Sequence, residues 1–237
     1  VKIVPYKIGS KSAAKLAEKI GMLIGEKVWR GNPDPQQLNV NWGNGHLDNG
    51  GYRWLNKPDA VRNSIDKLST FSKVKDYVQT VPYTARKEVA EAWNREESTV
   101  FARGREGFEG RGIHIIFPGQ EIPGAALYTK WLADQREYRV YVFDGEVLHK
   151  QERRRLNGHQ PALIWSTENG YILCNRNVNP PRELDGMAIT VLDRLGLDFG
   201  AVDFLVRGND IHFLETNTAF TLINPVGDIY AEHLTKI

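Results

Sequence analysis

Residues 201–219, AVDFLVRGNDIHFLETNTA, are two β-branched and aromatic runs joined at Gly208-Asn209-Asp210. Such runs around a glycine turn predict a β-hairpin. With Asn209 at the loop centre, Asp203 falls opposite Glu215. Like charges directly opposed across a ladder destabilise a sheet, so the placement needs a cause. A cation between them supplies one, because opposed Cβ atoms lie about 5 Å apart and one or two hard ions can bridge them. Asn217 shares their face by strand parity. Two carboxylates and an amide oxygen form an oxygen-only donor set suited to Mg2+ beside phosphate oxygens. The competing arrangement is a one-residue slip that turns one carboxylate to solvent.

A second hairpin is marked by Asp144-Gly145, between EYRVYVF and EVLHKQERR. Counting from that turn, Arg139 opposes Lys150 and Glu137 opposes Glu152. Two opposed cations invite an anion, and phosphate is the natural guest; the bland alternative is a solvated, charge-protected edge. His149 alternates with Lys150, is expected on the opposite layer and is given no catalytic role. Upstream, ARGREGFEGRGIHI places Gly104, Gly107, Gly110 and Gly112 between two apparent strands. No helix follows at once, so this is not a strand-to-helix phosphate loop. It suits a flap whose N–H groups close over phosphates, with Arg103 just ahead of it, although many plain hairpins also carry glycines.

The remaining chain mixes helix and strand periods. VKIVPY and LNVNW are predicted strands, and residues 43–54 a loop. Residues 12–27 keep Ala13, Leu16, Ala17, Ile20, Leu23 and Ile24 on one helical face, capped by Ser10 or Ser12. Residues 58–77 are predicted as one helical stretch stopped by Pro82, TARKEVAEAWNRE as a helix capped by Thr84, and residues 182–195 as the last helix. TVFAR, GIHIIF and ALYTKWL are further strands. The formal charge of +2 argues neither for nor against nucleic acid. One cysteine, Cys174, excludes an intramolecular disulfide and suits a reducing cytoplasm. No apolar run approaches the length of a membrane span, and the opening VKIVPYKIGSKSAAKL lacks the apolar core of a signal peptide.

Taken together these segments resemble the ATP-grasp superfamily, especially its small carboxylate–amine ligases and related proteins of bacteriophages. NSIDKLSTFSKVKDYVQTVPYT is similar to that family's opening helix, VFARGREGFEGRGIHII to its phosphate clamp, and LYTKWLADQREYRVYVF to its adenine hinge and ribose-binding glutamate. LGLDFGAVDFLV with IHFLETNTA resembles its metal motif. The resemblance implies an α/β (α+β) fold: a small α/β domain over residues 1–62, then two α+β subdomains, 63–132 and 133–237, that clamp ATP. It implies Asp203, Glu215 and Asn217 as Mg2+ ligands. Nucleotide contacts would come from Lys67, Arg103, Gly107, Gly110, Gly112, Lys130, Trp131, Leu132, Glu137, Asn175 and Asn177. Arg139, Lys150 and Arg153 would handle the γ-phosphate and an acyl phosphate. Two positions depart from the pattern: Arg103 replaces the usual clamp lysine, and Thr129 stands where the hinge is often acidic. The loop NTAFTLINP also lacks the Pro-Gly common after the metal asparagine, which points to a reshaped acceptor side. The implied reaction is ATP- and Mg2+-dependent joining of a carboxylate to an amine of a small molecule or peptide, in the cytoplasm. A small-molecule kinase, a nucleotide-binding regulatory module without turnover, and a ligase acting on nucleic acid or a protein terminus are the alternatives.

Overall fold

The computed structural model describes residues 1–106, 112–133 and 135–237, and the elements below are those of the described residues. The N-terminal stretch forms strand β1 (Lys2–Pro5), helix α1 (Lys11–Ile24) and strands β2 (Leu38–Trp42) and β3 (Arg53–Leu55). The strands make a parallel sheet in the order β1-β2-β3. Helix α1 buries Ala13, Leu16, Ala17 and Ile20, the i, i+3, i+4, i+7 stripe of a one-sided helix. Ser10 caps it by accepting from the Ala13 N–H at 3.3 Å, and Gly25 ends it at φ +69°.

The expected single helix over 58–77 is two, α2 (Pro58–Ile65) and α3 (Lys67–Val74). Asp66 breaks it: its backbone is extended and its carboxylate accepts from the N–H groups of Leu68 and Ser69 at 3.0 and 3.2 Å. A short acid that bonds nearby N–H groups starts a helix better than it continues one.

A small sheet follows, with strands β4 (Tyr83–Thr84), β5 (Val100–Arg103), β6 (His114–Ile116) and β7 (Leu127–Lys130) in the order β4-β7-β5-β6. Helix α4 (Lys87–Arg95) packs on it. Thr84 lies in β4 and accepts from the Arg86 N–H rather than capping the helix. Its core is small: Ala90, Val100, Ala102, Ile116, Ile122 and Tyr128.

The largest sheet is antiparallel, with strands β8 (Arg136–Phe143), β9 (Glu146–Arg155), β10 (Tyr171–Cys174), β11 (Phe199–Arg207) and β12 (Asp210–Asn217) in the order β10-β9-β8-β11-β12. Helix α5 (Glu183–Leu195) covers one face, where Tyr138, Val140, Val202 and Phe204 join Leu184, Ala188, Val191 and, from α3, Phe71 and Val74. Half of the other face is also apolar. There Tyr141, Phe143, Phe199 and Ala201 pack against Trp42, Ile20 and Tyr230. Tyr230 belongs to a sixth helix, α6 (Val226–Leu234), which was not expected. Its signal was Pro225 ahead of Val226, Tyr230, Ala231 and Leu234 at helical spacing. Strand β10 was likewise not expected.

Asn56 ties the N-terminal layer to this sheet. It is fully buried at φ +60° and makes four hydrogen bonds to the start of β11. Its N–H donates to Asp198, its amide donates to the Phe199 carbonyl, and its side-chain oxygen accepts from the N–H groups of Asp198 and Phe199.

Candidate active site

The half of the central face left open by α6 and the N-terminal layer is polar. Its geometry depends on two irregularities. From the Gly208-Asn209 turn, the β11–β12 ladder pairs Arg207 with Asp210 and Phe204 with Phe213. Continued regularly, it would put Leu214 opposite Asp203. The register shifts by one residue between Asp203 and Phe204, and Glu215 becomes the partner of Asp203. The expected opposition of the two carboxylates is therefore present, but by another route: the turn is two residues rather than centred on Asn209, and a bulge restores the offset.

In the second hairpin the bulge has the opposite effect on the expectation. The register shifts between Tyr141 and Val142, so Arg139 pairs with Gln151, Glu137 with Arg153 and Tyr141 with His149. The predicted pairings of Arg139 with Lys150 and Glu137 with Glu152 are corrected accordingly. Lys150 lies opposite Val140, on the α5 face, where its ammonium binds Asp185 at 2.6 and 2.9 Å. His149 moves the other way, onto the open face. A bulge that re-aims side chains leaves no compositional trace.

The result is a continuous row across four strands, Gln151–Arg139–Asp203–Glu215. Arg139 grips Asp203 bidentately, with both N–H···O distances 2.6 Å, and both side chains are buried. Burial alone would lower the Arg139 pKa, but the Asp203 carboxylate holds it well above the ordinary arginine value. The Asn217 amide donates to Asp203 at 3.2 Å and to Glu215 at 3.4 Å, bridging the two acids. Beside the row, buried Glu137 accepts from Arg153 at 2.5 Å. Burial pushes its carboxyl up to about 7; Arg153 opposes that shift and the nearby Asp203 adds to it.

From the other side come Lys67, at the start of α3, and Arg103, at the end of β5. Desolvation lowers both pKa values and Glu215 partly offsets it in each; Arg103 further lowers that of Lys67. Arg103 is 9% exposed, donates to Thr129 at 2.5 Å, and leaves its Nε buried without a partner. That orphaned donor marks a place where an acceptor belongs. Thr129, at the often-acidic hinge position, thus serves as the acceptor that seats Arg103. Gly112 is exposed at φ +72°, while Gly107 and Gly110 lie outside the described residues.

Lys130, Trp131 and Leu132 run out of β7, all partly buried. The N–H groups of Lys130 and Trp131 bond the Pro82 and Thr99 carbonyls at 3.0 and 2.9 Å. Asn175 stands at the opposite rim. Its oxygen accepts from Gln151 at 2.7 Å and lies 2.9 Å from His149 Nε2, and its amide donates to the Asn224 carbonyl. Asn177, at φ +54°, gives its carbonyl to Arg154. Gln151, Tyr141 and His149 are site-face residues that sequence reasoning missed. The Tyr141 hydroxyl donates to the Gln151 oxygen at 2.6 Å, extending the row into the rim.

No protein-family profile matches the chain, and no curated protein matches it in sequence. Solved structures do. The ligase PsnB, complexed with a minimal precursor, superposes with a TM-score of 0.72 at 11% identity, covering 99% of this chain and 98% of its own. The macrocyclase MdnC of Microcystis aeruginosa MRC, bound with a precursor peptide, gives 0.71 at 11% identity over 100% and 99% of the two chains. D-alanine–D-alanine ligase of Bacillus anthracis gives 0.68 at 10% identity over 99% and 98%. The chain has the ATP-grasp fold. Within this ATP-grasp framework the polar row lies on the open half of the central sheet. Asp203, Glu215 and Asn217 offer only oxygen donors once the Asn217 amide turns its oxygen inward. Lys67, Arg103, Arg139 and Arg153 converge on Asp203, Glu215 and Glu137, with Glu106 and Asp66 also acting on Lys67.

Proposed function

We propose that this protein is an ATP- and Mg2+-dependent ligase that activates a carboxylate as an acyl phosphate and joins it to an amine. The observation that carries the reading is the row Gln151–Arg139–Asp203–Glu215, with Lys67 and Arg103 brought to Glu215 from the small sheet. The structures of PsnB with Mg and ADP, and of MdnC with its precursor peptide, supply the neighbouring chemistry.

Bound Mg2+ would neutralise phosphate charge and hold the transferring group in line. The chain's own groups do the rest. Asp203, Glu215 and Asn217 would hold the metal. Lys67 and Arg103 lie on the small-sheet side of Glu215, and the unpartnered Arg103 Nε donates to a phosphate oxygen there. Arg139 divides its guanidinium between Asp203 and the γ-phosphoryl oxygens, stabilising charge as the carboxylate attacks. Glu137 accepts from the ribose hydroxyls, and residues 130–132 line the adenine edge. Arg153 fixes Glu137 and lies next to the phosphate path. Lys150 serves the fold by tying β9 to α5. Phosphate then leaves as the amine attacks the acyl carbon.

The test is ADP release across amino acids, peptides and nucleic acids with hydroxylamine present. A hydroxamate formed from any carboxylate that stimulates ADP release supports the ligase. A stable phosphorylated hydroxyl product without hydroxamate makes the protein a kinase instead.

A further inference from the structure

Among the described residues the central sheet has one covered edge and one open edge. At β12, Phe213 exchanges hydrogen bonds with Gln79 and Val81 (2.7 and 3.1 Å), so that edge is occupied. Among the described residues no strand pairs with the outer side of β10. The Leu156 N–H donates to the Gly170 carbonyl at 2.8 Å, which turns the backbone groups of Gly170, Ile172 and Cys174 toward β9. Antiparallel alternation then turns those of Tyr171 and Leu173 outward. The Tyr171 N–H is taken by Ser166, leaving Leu173 to present both a donor and an acceptor.

Arginines surround this edge. Arg136 and Arg154 share Glu152, at 2.8 and 2.5 Å, and Arg154 also reaches the carbonyls of Arg176 and Asn177. Arg155 and Arg176 are exposed and, among the described residues, have no carboxylate partner. Ile172, on the same face as Arg154, is 36% exposed. Natural edges are usually blunted against other chains; this one combines free backbone groups, an apolar contact and surplus positive charge.

We propose that β10 and its arginines dock an extended acidic peptide segment as an added strand. A peptide backbone supplies both the donor and the acceptor that Leu173 requires, whereas a phosphodiester backbone supplies only acceptors. A strand added outside β10 lies three strand spacings from β8, ~14 Å from Arg139, so the residues that follow the docked segment must turn across the sheet face to reach the phosphate site. That the segment is a substrate rests on the ligase reading; its binding does not.

The probe is a fluorescein-labelled peptide of alternating Glu and Val, followed by anisotropy beside a Lys/Val peptide and a single-stranded oligonucleotide. The acidic peptide binds and weakens with salt, and the basic one does not bind. Arg155→Glu with Arg176→Glu lowers its affinity at least about tenfold. Leu173→Pro removes the outward donor and does the same, while MgADP affinity is retained in both variants. Absence of saturable binding by the acidic peptide, or unchanged binding in the double reversal, overturns the proposal. Tighter binding of the oligonucleotide overturns it in favour of a nucleic-acid surface. Peptide binding without MgADP binding or ADP release defeats the ligase reading and leaves the docking edge standing.

Discussion

Asp203 faces Glu215 across β11 and β12 only because the ladder slips by one residue between Asp203 and Phe204. The same Asp203 is held from β8 by Arg139. The two acids therefore differ in kind: Asp203 has a dedicated cation, and Glu215 answers to two more distant ones, Lys67 and Arg103.

That difference predicts unequal effects on the metal-free fold. Asp203→Asn leaves the Arg139 guanidinium buried without its charge partner and costs about 3–5 kcal/mol of stability. Glu215→Gln removes the repulsion of Asp203 together with the charge that offsets the desolvation of Lys67 and Arg103, and costs less than Asp203→Asn. Both variants lose Mg2+-dependent ADP release by at least about 10²-fold. Urea denaturation with an ADP-release assay checks each pair of outcomes; wild-type turnover in both variants removes the metal assignment.

Lys150 and Arg139 separate in the same way. Lys150→Met breaks a partly exposed ion pair with Asp185, changes stability by about 1 kcal/mol or less, and leaves nucleotide binding intact. Arg139→Ala abolishes hydroxamate formation. The hydroxamate assay distinguishes them, and a defect of Lys150→Met in calorimetric titration with MgADP would contradict its placement on the α5 face.

Helix α1, helix α5 and the Asp144-Gly145 turn were legible because apolar spacing and glycine turns are local signals, and the Gly208-Asn209 turn was located but miscounted. Registers were not. A bulge adds one residue without any preferred residue type, so Lys150 and His149 exchanged faces relative to expectation. Asp203 and Glu215 came out correctly paired because a miscounted turn and an unseen bulge cancelled. The Arg139–Asp203 pair joins positions 64 apart in sequence and has no local signature. Gln151, fully buried, looked like an ordinary polar residue on a charged strand.

Glu137 gives a pH prediction. Its carboxyl ionises near 7 in the folded protein, against about 4.3 in an unfolded chain. Between those values the native state binds more protons than the unfolded state, so stability from this group falls as pH rises. Below about 4.3 its contribution is fully present. Glu137→Gln flattens the decline in Tm between those limits. An unchanged pH slope in the variant would show that Arg153 keeps Glu137 ionised throughout.

Asn56 is predicted to be the costliest single polar position in the N-terminal layer. Asn56→Ala removes its two side-chain-acceptor bonds and its amide bond, strains a φ of +60°, and costs roughly 3 kcal/mol. Asn56→Gly tolerates the backbone and is milder by about 1 kcal/mol. Chemical denaturation of the two variants checks the order.

The three hydrophobic clusters are unequal, and this sets which part of the molecule opens first. The N-terminal layer shares its interior with the central sheet through Trp42, Phe199 and Tyr230, so neither melts alone. Among the described residues the small sheet has a core of six buried apolar side chains and is joined to the main core through Leu127 and Tyr83 at one side. Its amides on β5 and β6 should exchange fastest among the strands. Since those strands flank the glycine segment and carry Arg103, under the proposed ligase function the least cooperative unit is also the one that would let go of spent nucleotide. Turnover would then be paced by the breathing of a deliberately thin core, and filling it with larger side chains would slow product escape before it altered chemistry.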